Sequence, residues 1–103
     1  MNPYPSYRVN QPAVIAEVID NEAIIVNLDS GAYYSLRGSA CLIWEMLAQQ
    51  MAMPTVVQGL SQRFADSPDV ILAGVNALVD DLLGEQLLVP ADGVTALTEL
   101  PVM

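Results

Sequence analysis

The sequence predicts an α+β fold in which a three-stranded antiparallel sheet is followed by three helices. Two β-branched runs, AVIAEVI at 13–19 and EAIIVNL at 22–28, are separated only by the turn pair Asp20-Asn21. After Gly38 the apolar period changes from two residues to that of a helix. Proline and cap signals then divide the second half of the chain into three helical segments.

Residues 1–12 hold three prolines and little periodicity, and read as an extended arm. The first strand is 13–19 and the second 22–28, where Ile24, Val26 and Leu28 share one face. Asp29-Ser30-Gly31 suits a short hairpin loop, with Gly31 able to take a positive φ. AYYSL, 32–36, is the third strand. Ser39 is read as the N-cap of the first helix, whose stripe is Ala40, Ile43, Trp44, Leu47 and Met51, widened by Leu42 and Met46. Pro54 is expected to end it. Thr55 and Gln58 match a capping box, and Val57, Leu60 and Phe64 form the stripe of the second helix. Ser67-Pro68-Asp69 opens a third helix running to about Gln86, with Ile71, Val75, Leu78, Val79 and Leu82 on one face. LLVP, 87–90, is a brief extended end, and 91–103 a loose tail. A helix trio beside a small sheet is the composition of a winged helix-turn-helix, a fold that does not fix function.

The chain has 103 residues, one domain's worth, and is 53% apolar. Its net charge is −9, and Arg8, Arg37 and Arg63 are its only basic residues. That balance disfavours nucleic acid and anionic membrane surfaces, both of which are bound through Lys and Arg. There is no histidine and one cysteine, Cys41. A His/Cys zinc site, a Cys–His pair, a Ser–His triad and an internal disulfide are therefore outside the reach of a single chain. No phosphate-binding glycine loop is present. Paired carboxylates stay open as acid–base groups, but most occupy surface or helix-end positions. No apolar run approaches the ~18 residues of a membrane span, and the N-terminus lacks a signal-peptide pattern. The expectation is a cytoplasmic, non-catalytic protein without a cofactor.

A further pattern lies across the sheet and the first helix: Leu28-Asp29, Gly31, Tyr33-Tyr34 and Leu36, then Ala40, Ile43-Trp44 and Leu47. In this order it resembles the PqqD family, also called the RiPP recognition element. The third helix and Leu87-Leu88 are similar to that family's C-terminal part, so the resemblance covers roughly 13–90. Two positions depart from it. Arg37 stands where the family commonly has Asn, and Gln86 where it usually has Gly before the apolar pair.

The resemblance implies a module that binds the leader segment of a ribosomally made precursor peptide and presents it to a modifying enzyme, such as a radical SAM enzyme, a leader peptidase or a cyclase. The leader is held as an added strand on strand three, in a cleft against the third helix. Its contacts are then Ala32, Tyr33, Tyr34, Ser35, Leu36 and Arg37 on the strand, and Val75, Leu78, Val79 and Leu82 on the helix. The residues agree on one point without the family. An edge strand meant to stay alone carries lysine, proline or a bulge, and AYYSL has none of these.

Simpler roles stand beside these. Tyr33 and Tyr34 point to opposite faces, one toward the core and one toward solvent or a leader. Trp44 belongs to the core, and Cys41 is a small buried hydrophobe. Asp80, Asp81 and Glu85 are a solvated helix face, or else select basic leader residues. Asp29 is read as a turn residue bonding its own loop. The methionines fill gaps. Two other functions remain open: a weak homodimer paired through strand three, and a winged-helix DNA-binding regulator, which the charge opposes.

Overall fold

The structure, a computed structural model, describes residues 6–91. Its elements are β1 (Tyr7–Val9), β2 (Val14–Ile19), β3 (Glu22–Asn27), β4 (Tyr33–Arg37), α1 (Ser39–Ala48), α2 (Met53–Ser61), α3 (Pro68–Gly84) and β5 (Leu88–Pro90). β2, β3 and β4 form the expected antiparallel meander, in that order, and β1 and β5 pair in a second, two-stranded sheet. The chain is thus α+β, with three sheet strands followed by three helices.

The meander follows from its turns. Asp20 and Asn21 both adopt positive φ, 52° and 63°, the conformation a two-residue hairpin needs to match the twist of its strands. Gly31, at φ 80°, closes the second hairpin. Alternation then divides the sheet. Ala23, Ile25 and Asn27 of β3 are buried, while Ile24 and Val26 are half-buried on the other face and Leu28 is exposed. α1 packs on the inner face, and the core behind it is continued by Ile43, Trp44 and Leu47 of α1, Met53, Val56 and Leu60 of α2, and Ile71, Val75, Val79 and Leu82 of α3. Trp44 and Cys41 lie inside this core, as expected.

Several boundaries differ from the sequence reading. Tyr7–Val9, placed in an extended arm, is a strand: Tyr7 lies opposite Pro90, Arg8 opposite Val89 and Val9 opposite Leu88. The paired residues are 79 to 83 positions apart in sequence, so no local signal marks the pairing. The rest of the arm before Ser6, and the tail beyond Ala91, lie outside the described residues. Ser39 does not cap α1. Gly38 does, at φ 60° and without a side-chain bond, because the corner after β4 demands a left-handed residue. α1 stops at Ala48, well before Pro54, and Gln50 at φ 64° reverses the chain. Pro54 belongs instead to the first turn of α2, where its missing N–H costs nothing. Thr55 is therefore already helical, and no capping box forms. The buried stripe of α2 is Met53, Val56 and Leu60, with Val57 half-buried and Phe64 exposed beyond the helix. α3 begins as read: the Ser67 hydroxyl accepts from the Val70 N–H at 3.3 Å, with Pro68 and Asp69 in the first turn.

α3 ends at Gly84 in a Schellman arrangement. The Gln86 N–H donates to the Leu83 carbonyl at 3.0 Å, and the Leu87 N–H to the Leu82 carbonyl at 2.9 Å. Gln86 sits at φ 62°, the left-handed conformation for which glycine is the usual residue. This turn delivers Leu87 and Leu88 into the core, where both are buried.

Candidate site on the free edge of the sheet

β4 is an edge strand: β3 lies on one side, and among the described residues no strand lies on the other. The ladder identifies which backbone groups are left over. The Asn27 N–H donates to the Ala32 carbonyl at 2.9 Å, so those two residues face each other across the hairpin. Hydrogen-bonded and non-bonded pairs alternate along an antiparallel ladder. Tyr34, opposite Ile25, and Leu36, opposite Ala23, therefore turn their N–H and C=O groups toward β3. Tyr33, Ser35 and Arg37 turn theirs outward. Three consecutive docking positions result, with no proline, lysine or bulge to block them.

The side chains of β4 alternate accordingly. Tyr33 is 70% exposed on the outer sheet face, with Ser35 and Arg37 beside it. Tyr34 and Leu36 are half-buried on the helix side and pack on the core. Ala32, also half-buried, precedes the strand. The Tyr34 hydroxyl donates to Glu85 Oε1 at 2.5 Å, linking the middle of β4 to the C-terminal end of α3. Accepting that bond, Glu85 holds the Tyr34 hydroxyl above the usual phenol range.

On the outer face, the Ser35 hydroxyl donates to Glu22 Oε2, and Arg37 Nε lies 3.3 Å from the same oxygen. The hairpin register sets Glu22 opposite Arg37 and Ile24 opposite Ser35, which brings the three groups together. The Ser35 bond first, and then Arg37, hold the Glu22 carboxyl below its ordinary value. Arg37 is thus directed along the sheet and stays well exposed, with 78% of its side chain accessible.

The helical members of the expected site are placed differently from the strand members. Val75, Val79 and Leu82 are 1%, 2% and 3% exposed. They lie within the core and offer almost no surface to a ligand. Leu78 alone is half-buried at its margin. Val75 also borders a cavity of about 270 Å³ between Ser39 and Ile43 of α1 and Val70, Ile71 and Gly74 of α3. A larger concavity, about 700 Å³, lies between α2 and α3 and is lined by Met53, Pro54, Val57 and Leu72 among others, with none of the expected site residues.

Two participants escaped the sequence reading. Glu22 organises Ser35 and Arg37, and counting the register outward from the Asn27–Ala32 pair would have found it. Asn27 is the loop's organiser: its Oδ1 accepts from the Asp29 and Ser30 N–H groups at 2.9 and 3.2 Å. The role expected of the Asp29 side chain thus falls to Asn27, which is 2% exposed and anchors the loop from inside. Among the described residues, no group of three His, Cys, Asp or Glu side chains is arranged to hold a metal ion. No described helix is long and apolar enough to cross a membrane.

Comparison with known proteins gives a consistent picture. Residues 22–88 match the family model for coenzyme PQQ synthesis protein D (PqqD). No curated protein matches the chain. Two solved structures share its fold, each with a TM-score of 0.74. One, described as TbiB1 in complex with the TbiA(beta) leader peptide, is 20% identical, the match covering 79% of this chain and 93% of that one. The other, a lasso peptide synthetase B1 complexed with the leader peptide, is 22% identical over 82% of this chain and 99% of that one.

Proposed function

The chain belongs to the PqqD family, and we propose on that premise that it is a non-catalytic module capturing the leader segment of a ribosomally made precursor peptide. The leader adds as a fourth strand along β4, bonding the outward groups of Tyr33, Ser35 and Arg37. It is then presented to a modifying enzyme, such as a radical SAM enzyme, a leader peptidase or a cyclase, in the cytoplasm. The observation that carries this reading is the undefended outer edge of β4. Strand addition draws affinity from main-chain bonds and specificity from neighbouring side chains. Tyr33 and Arg37 on one face, and Leu36 and Leu78 near the other, are the side chains with surface to offer. Both structural neighbours are described as complexes with leader peptides, which supports the same use of the fold. Ordering a flexible leader costs entropy, so affinity near micromolar, about −8 kcal/mol, is the expected scale.

The test is a titration of isotope-labelled protein with leader peptides encoded beside its gene. The amides of Tyr33, Ser35 and Arg37 should move most, and those of Tyr34 and Leu36 less. Ser35→Pro removes an outward N–H without touching the β3 ladder, and should abolish binding in a folded protein. Ser35→Ala, the control for the lost hydroxyl, should retain it. Unchanged binding by folded Ser35→Pro would defeat strand addition. The same edge could instead pair two copies, and a mass that rises with concentration in light scattering would favour that homodimer.

A further inference from the structure

The sheet has a second open edge, on the far side of β2. Among the described residues, no strand pairs with it. The Leu28 N–H donates to the Ala13 carbonyl at 2.7 Å, which fixes the alternation along β2. Ile15, Glu17 and Ile19 bond to β3; Val14, Ala16 and Val18 face outward. The outward Val14 N–H is taken by the Asn10 carbonyl at 2.9 Å, and among the described residues the backbone groups of Ala16 and Val18 have no partner on this side.

Below this edge, on the helix side, is a cavity of about 330 Å³ of mixed lining, with Val9, Ala16, Val18 and Trp44 beside Gln11, Glu45 and Gln49. Above the edge, on the outer face, Glu17 stands between Ile15 and Ile19, which are 55% and 56% exposed. A strand added here would set apolar side chains over the cavity and the alternate ones beside Glu17. A second copy of β2 is a poor occupant. The register centred on Glu17 puts Glu17 against Glu17, the register centred on Ala16 puts it against Ile15, and in either the two chains each carry −9.

We propose that the outer edge of β2 is a second strand-docking site for an extended partner segment in which lysine or arginine alternates with apolar residues. That the partner is the enzyme receiving the peptide rests on the recognition reading above; the chemistry of the edge does not. The two edges lie on opposite sides of the meander, so both can be occupied together and the sheet becomes the bridge between peptide and enzyme.

The probe is a capped peptide, Thr-Val-Lys-Val-Lys-Val-Thr, titrated into the labelled full chain, with Thr-Val-Glu-Val-Glu-Val-Thr as its counterpart. The lysine peptide should shift the Ala16 and Val18 amides and the Trp44 indole, and leave the Tyr33, Ser35 and Arg37 amides in place. The glutamate peptide should not. Glu17→Lys, on an exposed position, should weaken the lysine peptide about fivefold or more and admit the glutamate peptide. The proposal is overturned by absence of shifts at Ala16 and Val18 in the folded protein at millimolar peptide. It is equally overturned by shifts confined to β4, or by shifts over all acidic surface that 0.5 M salt removes. A leader titration that fails at β4 while the lysine peptide binds at β2 would count against the recognition reading alone.

Discussion

The Tyr34 hydroxyl donates to the Glu85 carboxylate at 2.5 Å, although the two residues are 51 positions apart. One belongs to the edge strand and the other to the cap of α3, so this bond spans the two elements that border the candidate cleft. Tyr34→Phe should fold normally, with a small fall in melting temperature. The phenol is held above its usual range by Glu85. A group raised in the folded state contributes stability below its unfolded pKa and loses it as pH rises through the folded value. The wild-type protein should therefore lose stability relative to Tyr34→Phe only above about pH 10, the ordinary phenol range. Equal loss in both proteins across that range would show that the bond does not form in solution.

Glu22 gives the opposite sign. Its carboxyl is lowered by the Ser35 hydroxyl and then by Arg37. The associated stability is present above the unfolded pKa, near 4.3, and is lost as pH falls through the folded one. Carbon-detected titration should place Glu22 below the ordinary glutamate value. Ser35→Ala and Arg37→Gln should each raise it, since the serine bond and both contributions of Arg37 lower it. If Arg37→Gln has the larger effect, the ion pair rather than the hydroxyl governs this corner of the site.

Gln86 occupies a left-handed position, φ 62°, that glycine would hold without strain. Gln86→Gly should stabilise the chain by about 0.5–1 kcal/mol, the relief of a left-handed L-residue less the extra freedom glycine gives the unfolded chain. Chemical denaturation measures this directly. A destabilised variant would mean that the amide side chain contributes a contact outweighing the strain. The Asn10 bond to the Gln86 carbonyl, 2.9 Å, is to backbone and should survive the change.

Asn27→Ala should cost about 2 kcal/mol, because two backbone N–H groups lose their acceptor and the loop its anchor. The loop precedes β4 directly, so the Ala32 and Tyr33 amides should exchange faster as well. Asp29→Ala, by contrast, should be close to neutral, since only its backbone takes part. Comparable losses from both would return the turn to Asp29.

The sequence alone determined the meander, the three helices and the open strand, read at 32–36 and formed at Tyr33–Arg37, because each is written in local terms. The β-branched runs, the turns at Asp20-Asn21 and Gly31, and the Ser67-Pro68 cap act over a few residues, so a reader of the chain can find them. The ordered Tyr33-Tyr34 and Ile43-Trp44 pattern likewise pointed to the family. Tertiary structure decided what depends on distant partners. It made Tyr7–Val9 a strand by supplying Leu88–Pro90 across the domain. It sent Val75, Val79 and Leu82 inward, because an amphipathic stripe shows that a helix has an apolar face and not what covers it. It joined Tyr34 to Glu85 and exposed two edges of one sheet, since edges exist only once strand order is fixed. Periodicity assigns side chains to faces; only packing determines which faces meet and which stay free for a partner.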